Sequence, residues 1–138
     1  MNFARRVVVD TGVLVSAAIR PESIPALAVE KALLLFEVCV SPETLTELET
    51  VLLRAKFDTY APRAERELFL AGFSERVLTV PVTQVVTDCP DPKDNMFLAL
   101  ADTVQAELLV SGDPHLLGMH PWRGIPILPS AAFLVGIR

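Results

Sequence analysis

The chain predicts an α/β domain in which a parallel sheet is covered by helices on both faces. Three observations predict it. Short apolar runs such as Arg6-Val7-Val8-Val9 and Leu108-Leu109-Val110 are too brief for helices and read as buried strands. Amphipathic stretches alternate with them, which favours parallel strands joined by crossover helices. At 138 residues and 51% hydrophobic, the chain can bury a core of its own.

The elements follow in order. Val7 to Val9 forms the first strand, and Thr11 to Ile19 a short helix ending before Pro21. Pro25 to Phe36 reads as a second helix with Leu27, Leu34 and Leu35 on its apolar side. Val38-Cys39-Val40 is the second strand. Ser41-Pro42-Glu43 then gives a hydroxyl N-cap, a proline at the first helical position and an acid in the first turn. That helix turns Leu45, Leu48 and Leu52 inward. Arg63 to Arg76 is helical with Leu68, Phe69 and Phe73 inside, and Val77 to Val82 is a third strand or edge segment interrupted by Pro81. Asp91-Pro92-Lys93-Asp94 opens a helix that buries Phe97, Leu98 and Ala101. Leu108 to Val110 is the fourth strand, Asp113-Pro114 begins a short helix or turn, Ile125 to Leu128 is a last short strand, and Ser130 caps a closing helix.

Bulk properties narrow the function. No window reaches the roughly 18 apolar residues of a membrane span. Met1 to Arg6 runs straight into a strand, so no signal peptide and a cytoplasmic location are expected. Cys39 and Cys89 form no CxxC pair and read as reduced thiols. His115 and His120 are not at a zinc spacing, and prolines adjoin both, so loop or surface roles are expected. The formal net charge of −5 comes from 12 bases and 17 acids, which weakly disfavours a polyanion. Four or five of those acids are concentrated at one predicted place, where a cation would offset them.

These are Asp10 after the first strand, Glu47 in the helix after Ser41, Asp94 before Phe97, and Asp113 after the fourth strand. Acids at the carboxyl ends of parallel strands point into one crevice. Each has a plainer reading: Asp10 and Asp113 as N-caps, Asp94 as part of a capping box begun by Asp91. Caps can be Ser, Thr or Asn as readily as Asp, so the shared choice of carboxylate favours a common ion. Two carboxylates about 4 Å apart repel by roughly 4 kcal/mol at an effective dielectric near 20. An all-oxygen set points to Mg²⁺ or Mn²⁺. Glu47 shares a stripe with Thr44 and Val51 at the edge of the core face. Periodicity leaves it open between a ligand and a solvated residue, alongside Glu43 and Glu49.

The blocks Val8-Val9-Asp10-Thr11, Ser41-Pro42-Glu43-Thr44-Leu45-Thr46-Glu47-Leu48, Leu53-Arg54-Ala55-Lys56-Phe57, Asp91-Pro92-Lys93-Asp94-Asn95-Met96-Phe97-Leu98-Ala99 and Leu109-Val110-Ser111-Gly112-Asp113-Pro114-His115-Leu116-Leu117 occur in this order. Together they resemble the PIN-domain nucleases that include VapC-type toxins, and a subgroup of toxin–antitoxin components in particular. The resemblance covers essentially the whole chain. It implies a PIN-like three-layer α/β/α fold, with a central parallel sheet of four to five strands in a single domain over residues 1–138. It assigns Asp10, Glu47, Asp94 and Asp113 as catalytic and metal-binding acids, with Asp91 as a further ligand and Thr11, Ser111 and Asn95 in support. It also implies a Mg²⁺- or Mn²⁺-dependent ribonuclease for single-stranded RNA, a homodimer and a small antitoxin partner.

Substrate needs a cationic grip, for which Arg54, Lys56, Arg63 and Arg66 are the candidates, with Arg20 and Lys93 as additions. The plainer reading is a solvated face, since Asp58, Glu65 and Glu67 interleave with them. A catalytically weak PIN-fold module that binds RNA or protein and regulates is the main alternative. A phosphotransfer domain is disfavoured, because Gly12 stands where such phosphatases need a second Asp and no late-strand lysine follows.

Overall fold

A computed structural model of the chain describes residues 5–136. Five strands form one sheet: β1 (Arg6–Val9), β2 (Glu37–Val40), β3 (Leu78–Thr79), β4 (Leu108–Val110) and β5 (Ile127–Leu128). Their order is β3-β2-β1-β4-β5, and every pairing is parallel. Seven helices cover the sheet: α1 (Thr11–Ile19), α2 (Ile24–Leu35), α3 (Pro42–Leu52), α4 (Arg63–Arg76), α5 (Asn95–Thr103), α6 (Pro114–Leu117) and α7 (Ser130–Gly136). The chain builds outward from β1 to β3, then returns to the other side of β1 for β4 and β5. The order therefore reverses beside β1, and a crevice opens at the carboxyl ends of β1 and β4.

Strand alternation sorts the core into two clusters. Val7, Val9, Val38, Val40, Leu108 and Val110 face α1, α2, α3, α4 and α7. Val8, Cys39, Leu109 and Ile127 face α5 and α6 from the opposite side. The strands are hydrophobic throughout because both faces are covered.

Helix starts follow their sequence signals. Ser41 Oγ accepts the Thr44 N–H at 3.1 Å while Thr44 Oγ1 accepts the Ser41 N–H at 2.9 Å. Pro42 follows, in a position that needs no N–H. Ser130 differs from expectation. It is the first residue of α7, and the carbonyl of Pro129 receives the Phe133 N–H. The segment after Asp91 also differs: Pro92–Asp94 is a 3₁₀ turn, and the α-helix begins at Asn95. β3 is shorter than expected, pairing only Leu78 and Thr79 with β2 before Pro81 withholds a donor.

Two apolar faces need correction. Leu27, Leu34 and Leu35 of α2 are exposed, and Ala28, Val29 and Ala32 face the core instead. The small residues let α1 and α7 approach α2 closely, which leaves no room for leucines there. Leu68 of α4 is exposed as well, while Phe73 is buried and Phe69 packs beside it with ring centroids 6.1 Å apart.

Arg66 departs furthest from expectation. It belongs to no cationic patch and is fully buried. Its guanidinium donates to the carbonyls of Ala61 at 3.1 Å, Leu52 at 2.8 Å and Arg54 at 3.2 Å, and pairs with Asp58. The carbonyls left over where α3 ends thus meet a charged donor. Arg66→Leu is expected to lower unfolding free energy by at least about 3 kcal/mol in urea titration, since it strands the buried carbonyls of Leu52 and Ala61, the part-buried carbonyl of Arg54 and the Asp58 carboxylate. Arg63→Gln, on the exposed face of α4, is expected to stay within about 0.5 kcal/mol of wild type.

Candidate active site

Asp10 leaves the buried end of β1 and turns the chain into α1. It serves as the N-cap, with Oδ1 accepting the Val13 N–H at 2.9 Å. The Ser111 hydroxyl donates to Asp10 Oδ2 and accepts the Asp113 N–H at 3.0 Å. One hydroxyl from the end of β4 therefore links two acids on neighbouring strands. Asp113 in turn caps α6 by accepting the His115 N–H at 2.7 Å. Capping and convergence coexist at both acids.

Glu47, which periodicity left open, stands apart from its neighbours on α3. It is half-buried on α3, and its Oε2 accepts the Thr11 hydroxyl at 3.0 Å, whereas Glu43 and Glu49 are exposed. Thr11 and Ser111, both named as supporting hydroxyls, each donate to one acid. Asn95 is placed differently: its Oδ1 accepts the Cys89 N–H at 2.8 Å and fastens the preceding loop to α5.

Asp94 closes the 3₁₀ turn that Asp91 caps through the Lys93 N–H. It is only 6% exposed, and its Oδ2 is buried without a hydrogen-bond donor. Burial, reinforced by the neighbouring Asp113 carboxylate, raises its pKa to about 7. Burial also raises Asp10, although the Ser111 and Val13 hydrogen bonds oppose the shift. A buried, unpartnered carboxyl oxygen beside a second carboxylate is a position that a divalent cation fits.

Asp10, Thr11, Glu47, Asp94 and Asp113 line one cleft of about 660 Å³. Val15, Ile19, Val51, Phe57 and Phe97 make its walls apolar. Of the cationic candidates, Arg54 and Lys93 line this cleft, and Arg20 borders an adjoining hollow with Phe57 and Tyr60. Lys56 stacks its ammonium 5.1 Å from the Phe57 ring centroid, and Arg63 pairs with Glu67 at 3.2 Å. Arg66 is excluded by burial.

Sequence reasoning expected only a loop or surface role for His115 and did not place it beside the acids. Ligand atoms of Asp91, Asp94 and His115 lie within 4.8 Å of one another. The available signal was its position two residues after Asp113, where the α6 turn carries it back over the acids.

Comparisons with known proteins agree with this architecture. An uncharacterised protein of Methanocaldococcus jannaschii is 30% identical over 119 residues, covering 83% of this chain and 74% of that one. The crystal structure of VapBC2 from Rickettsia felis, bound to a DNA fragment from their promoter, is similar in fold with a TM-score of 0.61. It is 12% identical and covers 90% of this chain and 98% of that one. VapC20 of Mycobacterium tuberculosis, a sarcin-ricin loop cleaving toxin, is similar at a TM-score of 0.50 and 13% identity, over 75% and 86% of the two chains. Residues 6–115 match the PIN domain, and the chain belongs to the PIN-domain family.

Proposed function

We propose that the protein is a divalent-cation-dependent endoribonuclease acting on single-stranded RNA, with Asp10, Glu47, Asp94 and Asp113 as its catalytic acids. The observation that carries this reading is the buried, unpartnered Oδ2 of Asp94 in a cleft that also gathers the other three acids. Membership of the PIN-domain family supports it. The four acids would hold Mg²⁺ or Mn²⁺, with Asp91 as a further ligand. The bound cation would lower the pKa of the attacking water and stabilise charge at the phosphate and leaving oxygen.

The chain's own groups supply the remainder. Ser111 fixes the Asp10 carboxylate by donating to it, and Thr11 does the same for Glu47. Arg54 and Lys93 at the cleft rim offer positive charge to the phosphates on either side of the scissile bond. The apolar walls limit water and give bases a surface to lie against. We also propose that the protein acts in the cytoplasm as the toxin of a toxin–antitoxin pair, with a small antitoxin closing the cleft. Similarity in fold to VapBC2 and VapC20 supports this assignment. A homodimer is the proposed assembly, for which the exposed Leu27, Leu34 and Leu35 of α2 offer an apolar surface.

Three outcomes are expected. A panel of mixed single-stranded RNAs should be cut with Mg²⁺ or Mn²⁺ and left intact in EDTA. Asp94→Asn should slow cutting at least about 100-fold while circular dichroism stays unchanged. Cutting that persists undiminished in folded Asp94→Asn protein removes the site assignment.

The second outcome concerns acid stability without metal. Native Asp94 holds its proton up to about 7, whereas the unfolded carboxyl releases it near 3.8. The resulting stabilisation is complete below 3.8 and lost as pH rises through about 7. In chelator, the melting-temperature difference between wild type and Asp94→Asn should therefore shift against wild type across that window. Mg²⁺ should restore wild type most at the alkaline end. A pH-independent difference would remove this account of Asp94.

The third outcome concerns assembly. Light scattering should report a dimer for wild type and a monomer for Leu34→Glu, and a wild-type monomer would remove the dimer.

A further inference from the structure

The acids of the cleft are not equally free to accept a cation. Both oxygens of Asp10 already receive donors, Val13 N–H on Oδ1 and the Ser111 hydroxyl on Oδ2. Glu47 receives the Thr11 hydroxyl, and Asp113 Oδ1 receives the His115 N–H. Asp94 Oδ2 receives none, and it is buried. The best-prepared ligand atom therefore lies on the Asp94 side of the cleft.

The Asp94 carboxylate also belongs to a group that is not purely carboxylate. Ligand atoms of Asp91, Asp94 and His115 fall within 4.8 Å of one another. Donors bound about 2.1 Å from a single ion lie up to about 4.2 Å apart across it, so small side-chain rotations close this group around one cation. Asp91 is tied down as the cap of its 3₁₀ turn, and Asp113 holds the His115 backbone. The His115 ring is 54% exposed and its Nδ1 lies 3.4 Å from Asp113 Oδ1, so a carboxylate already stands beside the imidazole to orient it.

We propose that Asp91, Asp94 and His115 form a mixed nitrogen–oxygen cation position that selects Mn²⁺ over Mg²⁺. The inference rests on the reading of the cleft as a cation site. It goes beyond that reading by naming an imidazole ligand and the selectivity that follows. Mg²⁺ keeps oxygen donors and sheds water reluctantly, whereas imidazole suits the first-row transition metals. An all-carboxylate position would discriminate little between the two ions by donor type. This one does, because a third of its protein donors is an imidazole.

The test is metal binding to the full chain, followed by calorimetry and by pulsed electron paramagnetic resonance of bound Mn²⁺. Wild type should bind Mn²⁺ at least about tenfold more tightly than Mg²⁺ and show nitrogen modulation from one directly bound imidazole. His115→Ala should lose the modulation and about tenfold in Mn²⁺ affinity, with Mg²⁺ affinity changing less than about twofold. Asp91→Asn should weaken Mn²⁺ as well, whereas Asp10→Asn should keep the nitrogen signature. Absence of nitrogen modulation in wild type overturns the proposal, as does unchanged Mn²⁺ affinity in His115→Ala. The nuclease reading fails separately. RNA left uncut by protein that shows the nitrogen signature would remove that reading and leave the cation position standing. RNA cut by protein without the signature would do the reverse.

Discussion

The cleft depends on β1 lying between β2 and β4 in parallel register. Val7 pairs with Val38 on one side and with Leu108 on the other, so β1 and β4 end at nearly the same level. Asp10 and Ser111 then emerge as neighbours, and the Asp10 N–H is held by the Val110 carbonyl at 3.0 Å. A one-residue slip of either strand would exchange its faces and carry the acid away from the hydroxyl. The valines and leucines that bury both faces of these strands therefore place the polar groups as well as stabilising the sheet.

Electrostatics at the crevice works against folding and for ligand capture. Burial of Asp94, reinforced by the neighbouring Asp113 carboxylate, makes it hold a proton to about 7. The same crowding that is unfavourable for the bare protein makes a divalent cation welcome. The structure relieves repulsion at Asp10 through Ser111 and Val13, and at Glu47 through Thr11. It leaves one oxygen of Asp94 without such relief.

Much of this arrangement is legible in the chain because it depends on local signals. Strand ends, N-caps and Pro at the start of a helix are encoded within a few residues, so Asp10, Asp94 and Asp113 could be located from their junctions. Glu47 could not, since its place in the cleft depends on Thr11 approaching from another element. The α2 leucines misled because periodicity identifies an apolar stripe without saying which of two faces meets α1 and α7. Arg66 was unreadable for a similar reason. A cation among acids looks solvated unless three distant carbonyls are known to close around it. His115 required knowing that the α6 turn folds back over Asp91 and Asp94.

The buried guanidinium of Arg66 bears on how the cleft can change over time. It grips the chain at Leu52, Arg54 and Ala61, on both sides of the short turn that carries Lys56 and Phe57. That turn is thereby a replaceable tip on a fixed mount. Substitutions at its outward positions alter the surface of the rim, while the anchoring by Arg66 preserves the spacing between rim and acids. Surface variation and a constant cleft geometry are thus separable on the same short stretch of chain.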